Sequence, residues 1–162
     1  MPLIKDGRYA DDAFAAVADG APLPGGPATV SLKRFQKERE TLLARNTPLG
    51  VRLESDESPA ALGADVRRLS LIVLEFPKFR DGRAFSWARL LRTRLGYRGE
   101  IRATGDFLFD QIAFMARVGI DTFEVPEAIT PELFRRALGE MGFVYQPSAD
   151  GRKTIGELRA GS

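Results

Sequence analysis

The residues best suited to chemistry lie in one segment, FPKFRDGRAFSWARLLRTRLGYRGEIRATGD, from Phe76 to Asp106. Between Lys78 and Arg102 it carries eight basic side chains (Lys78, Arg80, Arg83, Arg89, Arg92, Arg94, Arg98, Arg102) against two acids, Asp81 and Glu100. Arginine suits planar or tetrahedral oxyanions because its fork donates paired hydrogen bonds. The segment follows an apolar run and enters a helical pattern, and in parallel α/β folds ligands gather at strand carboxyl ends, where helix N-termini favour anions. Lys78, Arg80, Asp81, Gly82 and Arg83 occupy that place, with Ser86 as an expected helix N-cap, so an oxyanion- or partner-binding loop is expected there. Arg102, Asp110 and Gln111 are the further expected members of the site. The loop has no G-x-x-x-x-G-K-[ST] cradle, and the chain has no G-x-G-x-x-G.

Bland readings compete with this one. Arg89 and Arg92 are read as a solvated helix face opposite Trp87, Leu91 and Leu95, while Arg80 or Arg83 pairs with Asp81 or Glu75. Surface ion pairs of that kind contribute about 0–1 kcal/mol. The aromatic interleaving of Phe79, Phe85, Trp87 and Tyr97 could stack on bases, but core packing is the favoured role for Trp87 and Phe85. Asp110 either complements a helix dipole in an exposed first turn or reaches a basic residue such as Arg102.

The chain contains neither cysteine nor histidine. Thiolate nucleophiles, iron–sulfur clusters held by cysteine, Cys/His zinc sites and a Ser-His-Asp triad are therefore excluded. Acid–base work would fall to Asp, Glu, Lys or Tyr, and redox work would need a borrowed organic cofactor or a partner. Glu75, Asp106, Asp110 and Glu124 are the candidate carboxylates, Glu75 and Glu124 lying near strand ends, but spacing alone selects no pair.

The elements that must position these residues read as α/β. From residue 50 onward short apolar runs alternate with amphipathic ones, the pattern of βα units around a parallel sheet. The expected strands are Gly50–Leu53, Leu69–Phe76, Glu100–Ala103 and Thr122–Val125. LSLIVLEF is the clearest, being an almost unbroken apolar run suited to a strand covered on both faces. The expected helices are Pro59–Arg67, Phe85–Leu95, Phe107–Val118 and Pro131–Met141, with Ser58, Asp106 and Thr130 as N-caps and Gly96, Gly119 and Gly142 as C-caps. Ser31 caps a further helix to about Arg45, and Leu3–Phe14 reads as a hairpin arm turning at Asp6-Gly7. The expected architecture is thus four consecutive βα units in a parallel, half-barrel-like sheet of order 1-2-3-4, preceded by a helix and an N-terminal hairpin arm. Its edges need cover from that arm or from a second copy in a homodimer.

At 162 residues, 44% of them hydrophobic, the chain can bury a full core without disulfides or metal. The division expected is an arm and Pro/Gly loop over residues 1–30, one α/β domain over 31–145 and a partly mobile tail over 146–162. The net charge is only +2, so the basic segment implies an acidic remainder, and a nucleic-acid-binding module is the weakest reading. No window is long and apolar enough to span a bilayer, and the N-terminus lacks the apolar run of a secretory signal, so a cytoplasmic location is expected.

The string from Phe76 to Val125 resembles the signature block of a bacterial family, the domain-of-unknown-function family 934, with similarity extending from Leu49-Gly50-Val51-Arg52-Leu53 to Tyr145-Gln146. The matching positions include Phe76-Pro77-Lys78-Phe79, Asp81-Gly82-Arg83, Ser86, Arg89, Leu91-Arg92, Gly96-Tyr97, Gly99-Glu100, Arg102-Ala103, Gly105-Asp106 and Asp110-Gln111. Members are labelled probable oxidoreductases involved in sulfite reduction, so the resemblance implies a place in sulfur assimilation. Relatives often carry a cysteine where Val118 stands and an aromatic where Ile120 stands, and a family that works without that cysteine does not use thiol redox chemistry. With no cofactor motif present, the resemblance implies an accessory protein that binds sulfite, sulfate or a related oxyanion, or sulfite reductase itself. A cofactor-borrowing oxidoreductase is the alternative.

Overall fold

The computed structural model describes residues 2–76, 83–105 and 109–140, apart from the Glu140 side chain. Among the described residues eight strands form one sheet: β1 (Leu3–Lys5), β2 (Arg8–Ala10), β3 (Ala15–Ala16), β4 (Ala28–Ser31), β5 (Leu49–Leu53), β6 (Leu71–Phe76), β7 (Glu100–Gly105) and β8 (Thr122–Glu124). Their spatial order is β2-β1-β8-β7-β6-β5-β4-β3. Strands β3 to β8 run parallel, whereas β1 pairs antiparallel with both β8 and β2. The order expected for the last four strands holds. The sheet is nevertheless not four βα units: two strands precede them, and the hairpin adds an antiparallel pair.

The sheet cannot be flat. Strands β2 and β3 lie at opposite edges, yet only residues 11–14 join them. The five Cα steps from Ala10 to Ala15 reach about 18 Å at most, while eight flat strands span about 34 Å between their outer axes. The edges must therefore curl toward one another, which gives the half-barrel form and lays the 11–14 connector across its open side.

Burial follows the strand alternation. On the outer face Ile4, Val30, Val51, Leu53, Ile72, Leu74, Ile101, Ala103 and Phe123 join one core with the helices. These are α1 (Leu32–Lys37), α2 (Arg39–Leu43), α3 (Arg83–Thr93), α4 (Ile112–Arg117) and α5 (Pro131–Glu140), with a 3₁₀ segment over Pro59–Arg68 and a 3₁₀ turn over Phe109–Gln111. Phe35, Leu42, Leu62, Val66, Ala88, Leu91, Met115 and Phe134 are their buried contributions. Phe134 meets Phe123 edge-on, with ring centroids 4.8 Å apart.

Local chemistry accounts for most boundaries. Ser31 caps α1, its side chain accepting from the Arg34 backbone N–H. Ser58 and Thr130 cap in the same way. The single helix expected from Ser31 to Arg45 is instead two, broken where Glu38 leaves helical geometry at φ −114°, ψ 26°. The expected Pro59–Arg67 helix is 3₁₀ in character and kinks at Gly63. Ser86 lies inside α3 rather than at its cap, because the helix starts at Arg83. Asp106 and Gly142 fall outside the described residues.

The hairpin turns as its sequence predicts. Asp6 and Gly7 both have positive φ, 56° and 75°, as a two-residue turn of the I′ kind requires. Arg135 on α5 donates to the Gly7 carbonyl at 2.5 Å, tying the last described helix to the first turn.

One basic residue expected to be solvated is not. The Arg92 side chain is 11% exposed and ion-pairs with Asp121 at 2.5 Å. It also donates to the carbonyls of Tyr97, Gly99 and Gly119. Asp121 in turn accepts from the Ile101 N–H at 2.9 Å. The cluster fastens the end of α3 to the beginnings of β7 and β8, and Gly119 is confined to glycine both by its φ of +106° and by the Arg92 side chain, 2.7 Å from where a Cβ would stand. Tyr97 packs beneath the guanidinium, and burial pushes its phenol above the usual tyrosine range. Arg89, by contrast, is exposed.

Removing Arg92 leaves Asp121 without this guanidinium in a largely buried place, a loss of about 3 kcal/mol. Arg92→Ala should accordingly shift the urea midpoint strongly downward, while Arg89→Ala should stay within about 0.5 kcal/mol of the parent.

A polar cavity inside the half-barrel as candidate functional site

The inner face of the sheet is built differently from the outer. In barrels of parallel strands the interior is ordinarily filled by bulky branched side chains. Here the aligned row across β5, β6, β7 and β8 reads Arg52, Val73, Arg102, Thr122. The next inward positions toward the strand carboxyl ends include Glu75 beside Thr104, and Glu124. Below that row Gly50 leaves no room for a side chain, since a Cβ would stand 3.0 Å from Thr29 Oγ1 and 3.1 Å from Leu71 Cβ. Leu71 is fully buried beside it, closing the floor.

Above this floor lies a cavity of about 450 Å³. Its charged lining is Asp12, Arg52, Glu75, Arg102 and Glu124, joined by Thr29 and Thr104. The connector across the open side supplies Asp12 and Phe14, with Asp12 Oδ1 accepting from the Phe14 N–H at 3.0 Å. The cavity sits toward the strand carboxyl ends, the position α/β folds reserve for ligands, and its size falls within the range of small-molecule pockets.

Two electrostatic arrangements share it. Arg102 is 4% exposed and held by acids from three strands or connectors: Asp12 at 3.1 Å, Glu100 at 3.1 Å and Glu124 at 3.9 Å. Thr122 bridges this group, donating to Glu100 at 2.8 Å. A buried guanidinium needs such partners, and Arg102 thereby draws the connector onto β7. Arg52 and Glu75 form a looser pair, 3.6 Å apart and each substantially exposed. That separation is beyond a good hydrogen bond. Partial burial raises the Glu75 carboxyl above the usual glutamate range; Arg52 opposes this, and Glu54 and Glu57 add to it.

The expected site residues disperse. Lys78, Arg80, Asp81 and Gly82 lie outside the described residues. Arg83 and Ser86 are exposed on the first turns of α3. Asp110 and Gln111 stand on the 3₁₀ turn before α4, and the carboxylate partners described for Arg102 are Asp12, Glu100 and Glu124, not Asp110. Glu75 pairs with Arg52 rather than appearing in a described pair with Arg83. Of the four carboxylates considered for acid–base work, Glu75 and Glu124 line the same cavity. Trp87 donates its indole N–H to the Ser55 carbonyl at 2.9 Å, and Phe85 packs between Phe76 and Phe114. Asp12, Phe14 and Thr29 were invisible to motif reasoning. Arg52 had a signal: it shares inward parity with Glu75, Arg102 and Glu124, so four strands each place a charge on the same face.

A curled α/β half-barrel with a charged, ligand-sized interior is the class of protein these features define. The family model described as bacterial protein of unknown function (DUF934) matches residues 50–155. The chain belongs to that family. A search of curated proteins found no match. The matched span contains Arg52, Glu75, Arg102 and Glu124, whereas Asp12, Phe14 and Thr29 precede it. Among the described residues no helix is long and apolar enough to cross a membrane.

Glu75 binds its proton more tightly in the folded chain than in the unfolded one. This contribution to stability is present below the ordinary glutamate pKa and is lost as pH rises through the higher folded value. A carbon-detected NMR titration should find Glu75 above the exposed glutamates, and Arg52→Ala should move it higher still. Glu75→Gln should raise the thermal midpoint at pH 7, with the difference from the parent vanishing in acid.

Proposed function

We propose that this protein is an accessory factor of assimilatory sulfite reduction that binds a small polar molecule in the half-barrel cavity. The observation that carries the binding half is the Arg52–Glu75 pair, loose and accessible in a cavity whose other guanidinium is already neutralised. Exposed charges at a loop cost little, but charges inside a barrel displace the apolar packing that would stabilise it, and a ligand site is the reason to retain them. The pathway half rests on the family resemblance, whose members are labelled for sulfite reduction. The basic segment around Lys78, Arg80 and Arg83 is the proposed contact for sulfite reductase, since a concentrated positive patch steers association with an acidic surface. An oxyanion such as sulfite is a second candidate ligand for the same basic segment.

Growth and capture test this together. A strain lacking the gene should grow on cysteine and fail or lag on sulfate and on sulfite, with Arg52→Ala behaving as the deletion. Normal growth of the deletion on sulfate would remove the pathway reading. A tagged chain from sulfate-grown cells should recover sulfite reductase subunits in amounts that fade with salt. Recovery of a yellow protein would instead point to the cofactor-borrowing oxidoreductase.

A further inference from the structure

Resting on the reading of the cavity as a ligand site, we infer that its ligand is a small zwitterion, a molecule carrying an ammonium and a carboxylate a few bonds apart, as α-amino acids do. The argument begins with charge. Asp12, Glu75 and Glu124 line the cavity against Arg52 and Arg102. Arg102 is spoken for, being bound by Asp12 at 3.1 Å and Glu100 at 3.1 Å with Glu124 at 3.9 Å. A free dianion entering here would face three carboxylates with one remaining guanidinium, and a simple cation would sit against that guanidinium. With two guanidinium groups against three carboxylates the lining opposes the dianion, and a simple cation, although it suits the net negative walls, brings no anionic group for the Arg52 fork.

The Arg52–Glu75 pair is itself a dipole, open on one side to the cavity and separated by 3.6 Å. A molecule with opposite charges at similar separation can lie antiparallel to it, its carboxylate taking the Arg52 fork while its ammonium meets Glu75. Arginine supports that contact with parallel hydrogen bonds, and the ammonium has three donors to satisfy. The Glu124 carboxylate and the Thr104 hydroxyl lie on the same cavity wall to accept the remaining donors. Partial burial raises the proton affinity of Glu75, and an ammonium placed beside it would offset that cost to the ionised carboxylate. Phe14 and Val73 offer an apolar wall for a short side chain.

The test is a titration of the full chain, followed by NMR of the Arg52 Nε–H and the Glu75 carboxyl, with the α-amino acids individually and with sulfite and sulfate. For the best amino acid, the counterparts lacking only the ammonium or only the carboxylate are included. The expected result is that at least one amino acid shifts both signals and that each truncated counterpart binds at least tenfold more weakly. Arg52→Met and Glu75→Gln should each weaken binding by tenfold or more while the thermal midpoint stays near or above the parent's. If sulfite or sulfate shifts the Arg52 signal and no amino acid does, the zwitterion assignment falls and the cavity reading stands. If none of these ligands moves either signal, both fall. Equal binding of the zwitterion and its carboxylate-only counterpart would also overturn the inference, because Glu75 would then contribute nothing.

Discussion

Everything in this fold depends on the shortness of the connector between β2 and β3. Four residues cannot bridge the width of a flat eight-stranded sheet, so the strands must curl, and curling divides the molecule into an outer face that the helices cover and an inner face that lines the cavity. The hydrophobic effect is served mainly on the outside, where apolar positions of β1 and β4 to β8 meet α1 to α5. Inside, the chain is free to place charge, provided each charge finds a counterpart. Arg102 shows the condition met: its guanidinium binds Asp12 of the connector, so the link that bends the sheet is also held by the bent sheet's interior.

Much of this was legible in the sequence. The four central strands could be read from apolar runs, the hairpin from Asp6-Gly7, and the caps from Ser31, Ser58 and Thr130, because each of these signals acts over a few residues. Two strands escaped for opposite reasons. Ala28–Ser31 directly follows a glycine- and proline-rich loop and ends on a residue that also caps a helix, so its four positions carry no pattern of their own. Ala15–Ala16 is two alanines, which have no strand preference and are placed by the connector and by β4. The pairing of β1 with β8 joins residues more than a hundred positions apart, and nothing local encodes it.

The candidate site was harder to read because its members are spread across the chain. Concentration of charge drew attention to Lys78 through Arg102, yet Arg92 serves the packing of α3 and Arg102 is neutralised. The informative feature was dispersion: at least one charged residue at an inward position of each of β5 to β8. A charge embedded in an apolar strand costs more than a charge in a basic run, so Arg52 in LGVRL and Glu75 in LIVLEF pointed to the cavity more directly than the basic run did.

The placement of β1 also sets an order of events during synthesis. The hairpin leaves the ribosome before the other described strands, but its neighbour in the sheet, β8, is made more than a hundred residues later. At bacterial elongation rates that interval is on the order of ten seconds. Throughout it the hairpin has no partner on its β1 side, and a lone two-stranded hairpin is at best marginally stable in water. Closure is therefore late: a non-local pairing of the kind that slows folding, completed when α5 arrives and Arg135 takes hold of the Gly7 carbonyl. The helix made last among the described elements is the latch for the strands made first.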